Sequence, residues 1–427
     1  MKLLIRENDR KSFTFLYDSR YNNCVKMTKR KEEPMVEQWS IYKFRILVFI
    51  IAVAGVTQGL LNPLLSTLLE VKGVPSSVNG LSASALYLGI IFVTPFCPMI
   101  VRKIGYKRSI LIGLVVATIA ILFIPFFSNI WIWALLRFVV GMGDSLLHYS
   151  TQLWITFAAP AAERGKRISL YGLMYGVGFG LGPQGIHLLK WGNAVPFLVV
   201  GIVMGIAIFL IYRLDLGGGL QSCQENETNI SMMWIYRLGL IALCPAMMYG
   251  LLEAGMAVSF PIYGLREGIS KEWVSILISA FVYGALLLQV PLGILSDRWD
   301  RKKVLILACI IGSVGMALIP LLGNQVYALL ALFLLIGGFV GSLFTLGLSY
   351  LADLLPAHAL PKANSMASIH FSLGSMLGPY MGGLLIQYFG GGSLFYLIST
   401  ILGGFVILAV FYRSTTENRR EETTSMM

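Results

Sequence analysis

Residues 131–157 read WIWALLRFVVGMGDSLLHYSTQLWITF. The run is long and apolar enough to cross a hydrocarbon core as one helix. Three ionisable side chains interrupt it: Arg137, Asp144 and His148. At about 100° per residue, Arg137, Gly141, Asp144, His148 and Gln152 share one narrow helical stripe. Lipid offers such groups no water, so they persist where they face a polar cavity or one another, and they are functional candidates there. Two readings stand, a working ionisable path and a static charge network that pins helices together. Beyond this run the chain crosses a basic turn and enters a glycine-rich apolar segment that reaches Gly185.

Composition extends this reading to the whole chain. Of 427 residues, 56% are hydrophobic and only 13% charged, and the mean hydropathy is +0.75. Twelve apolar segments are expected to span a membrane, at about 46–68, 80–101, 109–127, 131–157, 169–189, 194–212, 238–263, 273–295, 304–322, 326–352, 365–388 and 394–412. We number them spans 1 to 12. The predicted fold class is an all-α membrane protein with two pseudo-symmetric six-helix bundles.

The net charge of +12 does not point to nucleic acid, because the basic residues sit in short gaps between spans. With an even number of spans, both termini share a side. The gaps on that side hold most of the Lys and Arg, among them Arg102, Lys103, Lys107, Arg108, Arg167, Arg298, Arg301, Lys302 and Lys303. The opposite gaps hold only Lys72, Lys190, Arg266 and Lys271. This asymmetry predicts cytoplasmic termini in a cell membrane, bacterial given the short loops. Trp131, Trp133 and Trp191 are expected at outer interfaces and Trp154 at an inner one. The five cysteines, Cys24, Cys97, Cys223, Cys244 and Cys309, show neither a C-x-x-C pair nor metal spacing, so no disulfide and no metal site is expected. No apolar stretch in the first 40 residues resembles a signal peptide. Met1, Met27 and Met35 are each candidate starts.

The predicted organisation is a polar tail over 1–42, a first bundle over 43–212, a linker over 213–237, a second bundle over 238–412 and a tail over 413–427. The linker carries Gly217-Gly218-Gly219 and two glycosylation-like triplets at Asn226 and Asn229, without meaning on a cytoplasmic side. The halves repeat. An offset of 195 carries Gly55 to Gly250, Gly73 to Gly268 and Gln58 to Glu253. An offset of 196 carries Gly141 to Gly337, Pro160 to Pro356, Ser169 to Ser365, and Gly182-Pro183 to Gly378-Pro379. Repeats of this kind point to a transporter whose site lies between the halves near the midplane.

Between spans 8 and 9 the chain reads Gly293-Ile294-Leu295-Ser296-Asp297-Arg298-Trp299-Asp300-Arg301-Lys302-Lys303. This resembles the G-x-L-A-D-R-x-G-R-R/K-R/K signature of the major facilitator superfamily, with Asp300 in place of the second glycine. The resemblance covers residues 40–413. It implies a gating latch at this turn, formed by Gly293, Asp297, Arg298, Arg301 and Lys302. In the first-half copy Gly105, Lys107 and Arg108 persist, but Arg102 replaces the aspartate, and Glu163 is a candidate partner for it. Gly178-x-Gly180-x-Gly182-Pro183-x-Gly185 in span 5 resembles the glycine-proline motif of drug/proton antiporters in this superfamily. Gly182, Pro183, Gly378 and Pro379 are candidate helix hinges; the alternative is plain packing. Arg137, Gly141 and Gly143 resemble the antiporter pattern of span 4, where Asp144 is this chain's own addition.

Asp144 lies near the midplane, where apolar surroundings oppose its charge and Arg137 favours it. With His148 one turn away, it is the first candidate for proton coupling; a fixed Arg137–Asp144 tie is the competitor. Glu253 in span 7 is the second intramembrane carboxylate, a candidate for the proton or for a cationic substrate, against a helix-locking hydrogen bond. The resemblance puts spans 1, 4, 7 and 10 around the cavity. It thereby sets Gln58, Asp144 and Glu253 on one wall; Gln152, Tyr149, Tyr249 and Tyr283 are further candidate lining residues, the alternative for each tyrosine being packing or lipid. His187 and His370 are expected to pack. Gly143-Asp144-Ser145-Leu146 spells the nucleophile block of a hydrolase family, but that chemistry needs a strand-to-helix turn, so no catalytic residue and no enzyme activity are expected. No phosphate loop and no cofactor motif occur. The expected partners are protons, a small-molecule substrate and the bilayer, with the chain a monomer. The leading expectation is proton-driven efflux by alternating access, the drug-resistance type of activity. A proton-coupled nutrient symporter is the alternative, and a sensor or scaffold the third class.

Overall fold

The computed structural model describes residues 41–160, 163–214, 231–356 and 359–411. The expected tails, most of the linker, its glycosylation-like triplets, the candidate starts, Cys24 and Cys223 lie outside them. Each expected span is a helix. In order these are α1 Ile41–Val71, α2 Ser76–Ile104, α3 Tyr106–Phe126, α4 Ile130–Ala158, α5 Arg164–Leu181 continued as a 3-10 helix over Gly182–Trp191, and α6 Val195–Arg213. The second set is α7 Met232–Arg266, α8 Lys271–Arg298, α9 Arg301–Leu322, α10 Val326–Leu354, α11 Leu360–Phe389 and α12 Ser393–Phe411. The linker expected to reach residue 237 ends earlier, because α7 already begins at Met232.

Among the described residues, 10 helices are long and apolar enough to cross a membrane by composition alone. The exceptions are α5 and α11, the two that carry Gly182-Pro183 and Gly378-Pro379. Their glycine, serine and proline content lowers hydropathy because these helices trade side-chain bulk for close backbone approach. The buried apolar side chains form two clusters, one drawn from residues 44–214 and one from 235–409. Large apolar side chains such as Phe126, Ile202, Leu321 and Phe411 point outward instead, as suits a helix bundle solvated by lipid.

The sequence repeat reappears as a repeat of contacts. A Cβ on Gly55 would overlap the carbonyl oxygen of Tyr175, and one on its counterpart Gly250 that of Phe371, which is Tyr175 advanced by 196. Likewise Gly141 lies on the Leu86 carbonyl and Gly337 on that of Phe281. So α1 crosses α5 as α7 crosses α11, and α2 crosses α4 as α8 crosses α10. One asymmetry breaks the pattern. The helix turns 3-10 from Gly182-Pro183 onward but stays α-helical through Pro379.

Two aromatic expectations are corrected. Trp133 and Trp154 are buried, not interfacial. The Trp133 indole donates to the Phe127 carbonyl at 2.7 Å and Lys72 sits 4.4 Å over its ring, which satisfies its polar edge inside the protein. Trp131 and Trp191 are exposed, as expected of interfacial rings.

Candidate functional site

The turn between α8 and α9 shows what the charged signature does. Arg301 pairs with Asp297 at 3.0 Å and with Asp353, at the end of α10, at 2.7 Å. It therefore ties three helix ends together. Nothing in the signature flags Asp353; only its position beside an interrupted span end could have done so. Asp300 caps α9, its carboxylate accepting the Lys303 N–H at 2.9 Å. Its φ of −175° is ordinary extended backbone, which explains why no glycine is needed there. The first-half counterpart does need one, since Gly105 sits at φ +82°. Asp300→Ala is expected to cost about 1 kcal/mol through the lost cap, read as faster amide exchange in the first turn of α9 with the rest of the helix unchanged.

The first-half copy has no such tie from Glu163. Its carboxylate pairs with Arg167 one turn on, at 2.7 Å, because the i,i+4 spacing brings them together on α5. Arg102 and Arg108 are exposed, and Lys107 lies 5.8 Å from the Tyr212 ring. Gly293 is open, with space for a Cβ, and Arg298 ends α8.

The α4 stripe is buried from Arg137 to Asp144 and half-buried at His148. Arg137 is fully buried and donates to Ser82 Oγ on α2 at 3.1 Å, while its Nε and a terminal nitrogen have no protein acceptor. Arg137 and Asp144 form no ion pair, so the fixed tie is not what holds them. Asp144, 5% exposed, instead has Oδ1 3.7 Å from His148 Nε2. His148 is held from α5, its Nδ1 3.1 Å from the Tyr171 hydroxyl and its ring edge-on to Tyr175 at 5.0 Å. Tyr175 in turn donates a hydrogen bond to Gln58 Oε1 on α1. In the second half Tyr249 donates to Glu253 Oε1 at 3.2 Å, one turn along α7, and stacks on Phe371.

Tyr87 on α2 bonds Asn62 of α1 at 3.2 Å. Tyr175 packs on Phe179, one turn along α5, with ring centroids 5.9 Å apart. Glu253 borders a small cavity of about 20 Å³, lined by Phe179, Met256, Phe281 and Phe333 among others. Neither Tyr87 nor Tyr175 is singled out by the α4 stripe or the repeat, because each is one tyrosine among 19.

Other candidates lie elsewhere. Gln152 is exposed. Tyr149 packs within the first-half cluster, beside Tyr106. Tyr283 lies against Gly180, where α8 meets α5. Ser145, of the hydrolase-like tetrapeptide, is mid-helix and bonds Thr94 at 2.9 Å. His187 meets Ser275 at 3.0 Å and His370 meets Tyr236 at 3.3 Å.

The family model of the Major Facilitator Superfamily matches residues 47–270 and 238–426. The chain belongs to this superfamily. A relative from Bacillus subtilis (strain 168), the "Uncharacterized MFS-type transporter YfkF", is 37% identical over 85% of this chain and 93% of its own length. The "Uncharacterized MFS-type transporter YcaD" of Escherichia fergusonii is 23% identical over 80% of this chain and 88% of its own. Among solved structures, nucleoside transporter NupG, in a mutant form, superposes with a TM-score of 0.69 at 13% identity, over 86% of this chain and 98% of its own. The D-xylose-proton symporter gives 0.68 at 16%, over 87% and 97%. At such identities the superpositions establish the fold alone. The chain is thus a multi-pass membrane transporter of the superfamily, a class of carriers and not of enzymes.

Proposed function

We propose that this transporter is proton-coupled and exports a small lipophilic or cationic compound by alternating access, with its termini in the cytoplasm of a bacterial cell. The proton gradient drives it, with no cofactor. The observation that carries the reading is a chain of contacts through α5: Asp144 lies beside His148, His148 packs edge-on to Tyr175, Tyr175 packs on Phe179, and Phe179 lines a pocket with Glu253 of the other half. Coupling needs a link of this kind, because a change beside His148 reaches the wall of the Glu253 pocket through α5 and so biases how the halves close. Asp144, beside His148, is the proton carrier in this reading. Glu253, at the wall of an aromatic pocket, is the counter-ion of the cargo.

Two carboxylates against one arginine, itself held by Ser82, favour a cation over an anion. Glu253→Gln is expected to raise the half-saturating concentration of a cationic cargo at least about tenfold, while a neutral cargo of similar shape changes little. Transport assays on matched cationic and neutral dyes in proteoliposomes check this. An equal loss for both would remove Glu253 from cargo recognition.

A second reading, proton-coupled uptake of a polar nutrient, has its own support. Gln58, Asn62, Tyr87 and Tyr175 form hydrogen-bonded polar groups suited to hydroxyls, and the two superposed structures are a nucleoside transporter and a D-xylose-proton symporter. An imposed pH gradient separates the readings. Export moves protons against cargo, and uptake moves them with it.

A further inference from the structure

Several hydrogen bonds join the two halves on the side away from the termini, here called the far side. Arg266, in the last turn of α7, grips Glu70 of α1 with Nε to Oε1 at 2.7 Å and a terminal nitrogen to Oε2 at 3.1 Å. The same guanidinium reaches Ser76 Oγ, at the start of α2, at 2.6 Å. Nearby, Gln387 of α11 accepts the Ser77 N–H at 3.1 Å. This is a two-pronged, charge-assisted clamp, the strong kind of polar contact. It is partly shielded, with the Glu70 side chain 15% exposed.

Below the clamp runs a seam of unusual composition. Ser66 of α1 donates to the Val258 carbonyl of α7. Asn79 of α2 donates to Ser66. Gly80 of α2 lies on the Pro379 carbonyl of α11 and Gly383 of α11 on the Ser76 carbonyl, while Ser259 of α7, next to Val258, faces Gly382 of its own half. Ser66, Asn79 and Ser259 are fully buried, yet Thr67 Oγ, Asn79 Oδ1 and Ser259 Oγ have no protein partner. Within each half the cores are apolar; between the halves the seam includes these small and polar groups. Unpaired buried polar atoms are costly dry and gain hydrogen bonds when wetted.

We infer that this seam is the far-side gate of the permeation path, and that the Glu70–Arg266–Ser76 clamp is the latch that holds it shut. The inference is independent of the cargo and of proton coupling. Breaking the latch shifts the transporter toward the conformation open to the far side, in which Ser66, Asn79 and Ser259 line an aqueous vestibule. The latch sets the balance between the two conformations and so the rate at which the empty carrier turns over.

The test is labelling of a Ser259→Cys reporter by a membrane-impermeant thiol reagent applied from the far side, with the full-length chain in membranes and its native cysteines replaced by serine. A Gln152→Cys reporter, probed from the terminal side, gives the reciprocal reading. Glu70→Gln and Arg266→Gln are each expected to speed Ser259→Cys labelling about tenfold, and to slow Gln152→Cys labelling. The exchange Glu70→Arg with Arg266→Glu is expected to restore both rates toward the parent. Unchanged rates in both single variants would overturn the latch. Faster labelling at both reporters, without recovery in the exchange, would mean general loosening and would overturn it too.

Discussion

Asp144→Asn is expected to reduce pH-gradient-driven transport to the level of protein-free liposomes, with the protein still folded and still exchanging cargo across equal pH. Asparagine keeps the shape of the side chain and its place beside His148, but it can neither take up nor release a proton. The energetic reason is specific to the site. Asp144 has no ion pair with Arg137, and one carboxylate oxygen lacks a partner. Asparagine is neutral and nearly the same shape, so it breaks no pairing with Arg137 and keeps the 3.7 Å approach to His148, and the fold should not suffer. The measurement is proton flux and labelled-cargo flux in proteoliposomes, with thermal unfolding as the check on folding. A variant that exchanges normally but ignores the gradient supports coupling through Asp144. Full gradient-driven activity would exclude it, and would pass the proton role to Glu253.

Gly141→Val is expected to be the most damaging single change to stability. The Cβ would overlap the Leu86 carbonyl oxygen and crowd the Ile90 amide. These are backbone atoms of a packed helix, which no rotamer change can move aside. Overpacking commonly costs about 1–3 kcal/mol, and a backbone obstacle puts this site at or above the upper end. The same holds for its repeat partner in Gly337→Val, against Phe281. Gly205→Val is the control, since nothing lies within 4 Å of its Cβ position. Size-exclusion profiles and unfolding temperatures should separate the first two from the third. Equal behaviour of all three would mean that α2–α4 and α8–α10 do not cross as closely as described.

Some of the site was legible before any fold was known. Arg137, Asp144 and His148 stand out because ionisable groups are rare at bilayer depth, and helical periodicity alone puts them on one stripe. Glu253 stands out for the same reason. What the stripe could not tell is whom each group meets. Arg137 and Asp144 are two turns apart on one helix, and linear spacing made them natural partners. The structure gives Arg137 to Ser82 of α2 and brings Asp144 to His148, which Tyr171 of α5 holds. Trp133 and Trp154 show the same limit, since a position near a span end does not say which way a ring points.

The sequence by itself determined the number and order of the helices, their membrane character and the two-fold repeat, because each of these follows from local hydropathy or from a fixed offset along the chain. Tertiary structure alone decided the contacts between elements far apart in the chain: Glu70 with Arg266, Arg301 with Asp353, His148 with Tyr171 and Tyr175, and Phe179 with the pocket of Glu253. Lipid drives the spans to form but does not choose their partners. That choice rests on where glycines let backbones touch and where buried polar atoms find one another, and both depend on the packed halves as a whole.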